Sequence, residues 1–266
     1  MKKTYILYHK NCTDGFGAAY SAWKKFQDKA IYIPINYGEP LPEIDFDSIV
    51  YVLDFCLKKE EILKIKSHSE IIIYDHHKAS IGNIEFASQY RFDLNRSGAK
   101  ITWDEFFPNQ KNELIDYISD KDLALFNLKK CEEIICALES YDRDFNQWNK
   151  LKISNLKKEG ESLLRFKRNE INVAIEKAFI CQLGKYKVPV VNCSIFMGEI
   201  AEALVEKFPD YDFCATFNIY KQNNKTYKKW SLRSNRVDLS IVSKEFGGGG
   251  HSFAAAFIEE IKENNE

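Results

Sequence analysis

The sequence predicts an α/β protein of two domains: an N-terminal parallel sheet flanked by helices, then a smaller C-terminal α/β domain, with the site expected in the cleft between them. Three observations carry this. Short apolar runs recur through the first third, each closed by a polar or acidic residue. Helical patterns lie between those runs. A long amphipathic stretch in mid-chain separates them from a second set of strands and helices. The boundaries expected are 1–150 for the first domain, 151–185 for a helical connector and 186–266 for the second domain.

The elements follow in order. Tyr5 to Tyr8 is apolar and stops at His9; Ala30 to Ile35 is apolar and β-branched; Ile49 to Leu53 stops at Asp54; Ile71 to Tyr74 stops at Asp75-His76-His77. Near-continuous apolar runs of this length suit strands buried on both faces. Phe16, Ala19, Trp23 and Phe26 share one helical face, and Lys58 to Lys66 is a charged helix with Ile62, Leu63 and Ile65 for packing. Strand–helix–strand alternation predicts a parallel sheet. Ser97 is placed to cap a helix running to Phe107, and Glu113 to Ser119 reads as another. From Leu156 to Phe179 the apolar period is helical. Beyond it, Val188 to Val191, Phe213 to Tyr220 and Trp230 to Arg233 read as strands, with helices at Met197 to Phe208 and Leu239 to Phe246.

Composition narrows the function classes. A chain of 266 residues, 45% hydrophobic and 29% charged, buries a real core and is not a disordered polyelectrolyte. The net charge of −1 excludes a general polycation, so any grip on nucleic acid comes from a local patch. The seven cysteines are scattered with no C-x-x-C pair, which points to reduced thiols in a cytoplasmic protein. The apolar run near the N-terminus is too short for a signal peptide, and nothing approaches a membrane span.

Ligand sites in open parallel sheets lie beyond the carboxyl ends of the strands. His9, Asp54 and Asp75-His76-His77 stand at such ends, and Asp14 lies in the turn after the first strand. Clustered carboxylates raise one another's pKa unless cations neutralise them. Imidazole with carboxylate suits manganese, zinc or iron; carboxylate alone suits magnesium. Two metals about 3.5–4 Å apart serve in-line phosphoryl displacement. Singly, each residue has a bland explanation, such as a helix cap for Asp54; adjacent histidines at a buried strand end do not.

These residues resemble the DHH phosphoesterases with their DHH-associated C-terminal domain, in the nano-RNase and RecJ-like exonuclease group. Asp75-His76-His77 after Ile71-Ile72-Ile73-Tyr74 matches the name-giving motif. His9-Lys10-Asn11-Cys12-Thr13-Asp14-Gly15 is similar to a first motif of histidine, acid-x-acid and glycine; Asp54 in Val52-Leu53-Asp54-Phe55 is similar to a second; Asp122 before Phe126 resembles a fourth. Gly247 to His251 with Ala254-Ala255-Ala256 resembles the glycine-rich signature of the associated domain.

The resemblance implies that His9 and Asp54 hold a first metal. It implies that Asp14, His76 and Asp122 hold a second, with Asp54 bridging and Asp120 an alternative to Asp122. Asp75 would orient the histidines, and His77 would face substrate. Arg233, Ser234, Gly249, Gly250 and His251 would hold the substrate's phosphate. The cofactor implied is a divalent metal, two manganese ions first, with magnesium, cobalt, zinc or iron compatible. Cys12 departs from the pattern, standing where the family has an acid; a thiolate there would be a ligand for softer metals.

The leading expectation is hydrolysis of phosphodiester bonds in short single-stranded oligonucleotides. Lys221, Lys225, Lys228, Lys229, Arg233 and Arg236, interleaved with Tyr220, Tyr227 and Trp230, suit phosphate pairing and base stacking. The alternative to a nucleic-acid role for the basic residues of Lys221 to Arg236 is a solvated hairpin with Asn223-Asn224 at its turn. The rivals are a nucleotide phosphatase or cyclic-dinucleotide phosphodiesterase, and a nucleotide-binding protein weakened in catalysis by Cys12. No membrane contact and no obligate protein partner is expected; a homodimer is left open.

Overall fold

The computed structural model describes residues 2–261 and divides the chain into two compact units, one up to Leu164 and one from Arg165 onward. The first unit runs β1 (Thr4–His9), α1 (Thr13–Phe26), β2 (Ala30–Ile35), β3 (Ile49–Leu53), α2 (Lys59–Lys66), β4 (Glu70–Asp75), β5 (Gln89–Phe92), α3 (Gly98–Phe106), α4 (Glu113–Asp122), α5 (Cys131–Glu139) and α6 (Phe145–Trp148). The helix α7 (Ile153–Ile175) spans the point of division. The second unit continues with β6 (Phe179–Leu183), β7 (Tyr186–Asn192), α8 (Met197–Lys207), β8 (Cys214–Gln222), β9 (Lys225–Arg233), α9 (Leu239–Lys244), β10 (Gly249–Gly250) and β11 (Ala254–Ile261).

In the first unit the strand order is β2-β1-β3-β4-β5, every pair parallel. Both faces are covered. On one, Phe16, Trp23, Ile101, Ile115 and Ile118 from α1, α3 and α4 pack against Ile6 and Leu53. On the other, Ile62 and Ile65 of α2 pack against Leu7, Val50, Val52, Ile71 and Ile73. Two-sided burial is why the strands read as unbroken apolar runs. The chain order reverses between β1 and β3, the position where such sheets open a crevice at their carboxyl ends. His9 ends β1 and Asp54 follows β3.

Ser97 caps α3 as expected, accepting from the Lys100 N–H. Several elements were not anticipated. β5 is an edge strand whose residues are mostly exposed, so it carries no apolar run. α5 and α6 were not anticipated either, although Ile134, Ile135, Leu138 and Trp148 are core residues.

In the second unit a mixed sheet has the order β10-β11-β9-β8-β7-β6, with β7 and β8 parallel and the other pairs antiparallel. The helix expected through Phe179 stops at Ile175. Phe179–Leu183 is instead strand β6, turned back through Gly184 (φ +55°) to pair with β7. β8 and β9 form a hairpin, with Asn223 and Asn224 both at positive φ (50° and 60°). Such paired left-handed residues match the twist of a two-residue hairpin. Trp230, read from sequence as a stacking surface, is 1% exposed and donates from its ring nitrogen to Glu259. It packs on Phe217 and Phe257 in the core and is closed to a base.

Among the described residues no helix is long and apolar enough to cross a membrane. Among the described residues no disulfide joins any of the cysteines.

Candidate metal centre

The site forms where the first unit's strands end. β1 delivers His9, the turn into α1 delivers Cys12 and Asp14, the turn after β3 delivers Asp54, and β4 ends in Asp75 followed by His76 and His77. Asp122 arrives from the last turn of α4. Two backbone features let these elements meet. Asp54 sits at φ +64°, with its N–H bonded to Tyr74 O, which turns its side chain out of the strand's alternation. Gly15 brings α1 against the end of β1, where a Cβ would lie 2.3 Å from His9 O.

Three sets of donors have ligand atoms within 4.8 Å of one another: His9, Cys12 and Asp54 in one, Asp14, His76 and Asp122 in a second, and Asp54, Asp75, His76 and His77 in a third that overlaps both. Asp54 stands between the first two. Its Oδ2 is 3.4 Å from His9 Nδ1, and its Oδ1 is 3.3 Å from His76 Nε2. His76 Nε2 is also 3.5 Å from Asp122 Oδ2 and 3.9 Å from Asp14 Oδ2.

Electrostatics make this cluster unfavourable by itself. Burial, then the Asp54 and Asp122 charges, push the Asp14 carboxyl well above its ordinary range. Burial and Asp54 push Asp122 up to about 6, against the pull of the histidines. Burial also pushes Asp54 up, but His76 and His9 outweigh it and hold that carboxyl below its usual value. Burial and the Asp54 and Asp14 charges push the Cys12 thiol up. Buried carboxylates in such numbers call for cations. The hydrogen-bond inventory agrees. His9 Nδ1, both Asp54 oxygens and His76 Nε2 are buried without a hydrogen-bond partner, although buried polar atoms are normally paired. The residues therefore fit divalent metals.

Asp75 has a different setting. Its Oδ1 accepts from the His76 N–H (2.7 Å), the His77 N–H (3.2 Å) and His77 Nδ1 (2.8 Å), and its Oδ2 accepts from Ser80 Oγ. With its oxygens so engaged, it suits orienting the two histidines. Burial pulls the His77 pKa down, but the bond to Asp75 and the Asp54 charge outweigh it and raise it to about 9.

Two positions are clarified. Asp120 is not at the cluster: its carboxylate accepts from the Asn127 and Leu128 N–H groups and pins the loop after α4. Gly98, the residue after the Ser97 cap, belongs to the site. Its N–H donates to Asp14 Oδ2 (2.6 Å) and the Ala99 N–H to Asp14 Oδ1 (3.1 Å), so the N-terminus of α3 clamps that carboxylate. The small pair after Ser97 was the available signal. Tyr37 was also missed: its exposed ring stands edge-on to His9 with centroids 5.6 Å apart.

In the second unit Arg233, Lys229, Gly198, Gly249 and Gly250 line a cavity of about 410 Å³. A Cβ on Gly198 would lie 2.7 Å from an Arg233 guanidinium nitrogen, so that glycine makes room for the arginine. Ser234 is buried in the following turn, donating to Asp212 O and accepting from the Arg236 and Val237 N–H groups. His251 is exposed, its N–H bonded to Ala254 O. The basic stretch is less uniform than its sequence. Glu259 of β11 lies opposite Lys228, and Glu260 pairs with Lys225 at 2.9 Å.

No family model matches the chain. Protein R106 of Acanthamoeba polyphaga mimivirus is 28% identical, the match covering 94% of this chain; the chain spans 66% of the length of that curated relative. Among solved structures, RecJ from Thermus thermophilus, in complex with Mn2+, matches with a TM-score of 0.55 at 12% identity. That match covers 96% of this chain and 49% of RecJ. An exopolyphosphatase-related protein from Bacteroides fragilis matches with a TM-score of 0.49 at 15% identity, over 96% of this chain and 86% of that one. With its five-stranded parallel sheet, flanking helices and second mixed sheet, this chain has a RecJ-like fold.

Proposed function

We propose that this chain is a phosphoesterase that uses two divalent metal ions to hydrolyse phosphodiester bonds in short oligonucleotides. The observation that carries the reading is Asp54: a buried carboxylate whose two oxygens lack hydrogen bonds and face separate donor groups. His9, Cys12 and Asp54 would hold one ion, and Asp14, His76 and Asp122 the other. Bound there, the ions would supply an activated water and positive charge for the phosphoryl transition state.

The chain's own residues do the rest. Asp75 fixes the His77 ring through Nδ1 and holds a proton on the imidazole. His77 Nε2 is then the atom that offers a proton to a phosphate oxygen or to the leaving group. The α3 N-terminus holds the Asp14 carboxyl in place through the Gly98 and Ala99 N–H groups. In the second unit, Arg233 and Lys229 beside the glycine strand supply cationic donors for a further phosphate.

A second reading is favoured by one observation. Glu259 and Glu260 interrupt the basic stripe of β8 and β9, so the cationic surface suits a small substrate better than a long strand. That fits a cyclic dinucleotide or a nucleotide phosphate ester.

A hydrolysis screen in manganese tests both, using short RNA and DNA oligomers, a cyclic dinucleotide and a nucleoside 3',5'-bisphosphate. Mononucleotide release from the oligomers alone supports the first reading. Turnover of the cyclic or monoester substrates alone replaces it with the second. Silence on every substrate, with nucleotide binding intact, overturns the enzymatic reading.

A further inference from the structure

Cys12 has no evident structural task. It belongs to none of the four apolar clusters. It is the N-cap of α1, yet its side chain makes no capping bond, where Ser, Thr, Asp or Asn would ordinarily accept one. Its backbone does position it: Asn11 at φ +60° turns the chain out of β1, and Gly15 locks the first turn of α1 against His9. Cys12 Sγ thereby comes within 4.8 Å of a His9 nitrogen and an Asp54 carboxylate oxygen.

We propose that Cys12 is a thiolate metal ligand. With His9 and Asp54 it forms a nitrogen–sulfur–oxygen site that selects a borderline-soft divalent ion of the zinc, cobalt(II) or iron(II) class over manganese or magnesium. The proposal rests on the metal-dependent reading above and makes it specific.

Geometry supports it. Ligand bonds of about 2.0–2.3 Å in tetrahedral array place donor atoms about 3.5 Å apart. The His9 Nδ1 to Asp54 Oδ2 separation is 3.4 Å, and neither atom has a hydrogen-bond partner. Asp14 belongs to the second donor set and is clamped by Gly98 and Ala99, so without Cys12 this position would keep two protein ligands. Three protein ligands with an open fourth position is the usual arrangement of catalytic zinc. On loading, the S–H bond breaks, an Sγ–metal bond forms and the proton passes to solvent. Thiolate prefers the later, softer ions, whereas manganese and magnesium favour oxygen.

The test is a cobalt(II) titration of the full chain under anaerobic, reducing conditions, beside Cys12→Asp and Cys12→Ser. Thermal midpoints check that each variant folds. The expected result is a near-ultraviolet thiolate-to-cobalt charge-transfer band that saturates with the visible d–d bands. In Cys12→Asp the charge-transfer band is lost while the d–d bands remain. Equilibration with equal zinc and manganese, read by elemental analysis, should show a zinc-to-manganese ratio at least roughly 10-fold higher in wild type than in Cys12→Asp, since even partners behind a ligand shift metal affinity by about 10–100-fold. Cobalt d–d bands without charge transfer, or a charge-transfer band that persists in Cys12→Asp, overturn the proposal and leave the metal-dependent reading standing. An unchanged zinc-to-manganese ratio overturns the metal preference. Failure to bind cobalt at all overturns both readings.

Discussion

Replacing Gly98 with alanine should damage the site without touching a ligand. An ideal Cβ there would lie 2.5 Å from Asp54 Cβ, 2.7 Å from its Oδ1 and 2.8 Å from its Cα. Carbon contacts are comfortable from about 3.5 Å, so either the start of α3 or the turn at Asp54 must yield by about 1 Å. Neither is a flexible side-chain end. Overpacking of this kind costs about 1–3 kcal/mol. A shift of α3 also loosens the Gly98 N–H bond to Asp14, a charge-assisted bond contributing about 1.5–3 kcal/mol. The two together predict a loss of roughly 2–6 kcal/mol. Against an ordinary stability of about 5–15 kcal/mol, that is a large fraction of the total. For catalysis, a 1 Å misplacement of a reacting group can cost about 100-fold. Urea unfolding and steady-state kinetics in saturating metal would measure both effects. A Gly98→Ala protein with wild-type unfolding midpoint and wild-type kcat would refute the close packing of α3 on Asp54 as the device that builds the site.

Other consequences can be checked together. Asp54→Asn should remove binding of both metals and abolish turnover with the fold intact; isothermal titration showing two ions still bound would refute the bridging role. Asp120→Ala should destabilise by about 1–3 kcal/mol by orphaning the Asn127 and Leu128 N–H groups, whereas Asp122→Ala should weaken metal binding with little effect on stability. Equal effects in urea melts and metal titrations would contradict that division. The Asp122 pKa is raised to about 6 in the metal-free fold. The folded state therefore holds more protons than the unfolded one above about pH 4. This contribution to metal-free stability falls as pH rises from there through about 6, and metal affinity rises over the same range as protons leave. Asp122→Asn should flatten both profiles, and unchanged profiles would refute the assignment. Trp230→Ala should cost about 3–5 kcal/mol as a core truncation, while Arg233→Ala should raise KM and spare the melting temperature. A stable Trp230→Ala protein with a raised KM would restore the stacking role that its burial denies.

Much of the site was legible in sequence because parallel strands buried on both faces announce themselves as apolar runs. The residue that breaks each run sits at the strand's end. His9, Asp54 and Asp75-His76-His77 are such breaks, and the strand-order reversal between β1 and β3 brings them to one crevice. The Asn223-Asn224 turn was readable because that residue pair tolerates positive φ. β5 was not, because an exposed edge strand carries no apolar signature.

The sequence by itself determined the layered α/β class and the donors at the strand ends, since these follow from local period and residue chemistry; Cys12 and Asp122 joined the candidate set through the family resemblance. Only the tertiary structure decided which acids meet. Asp120 and Asp122 are equivalent in sequence, but helix phase turns one toward a loop's N–H groups and the other toward His76. It also decided that Gly98 belongs to the site and Trp230 to the core. Close approach and burial depend on elements far apart in the chain, and no local pattern encodes them.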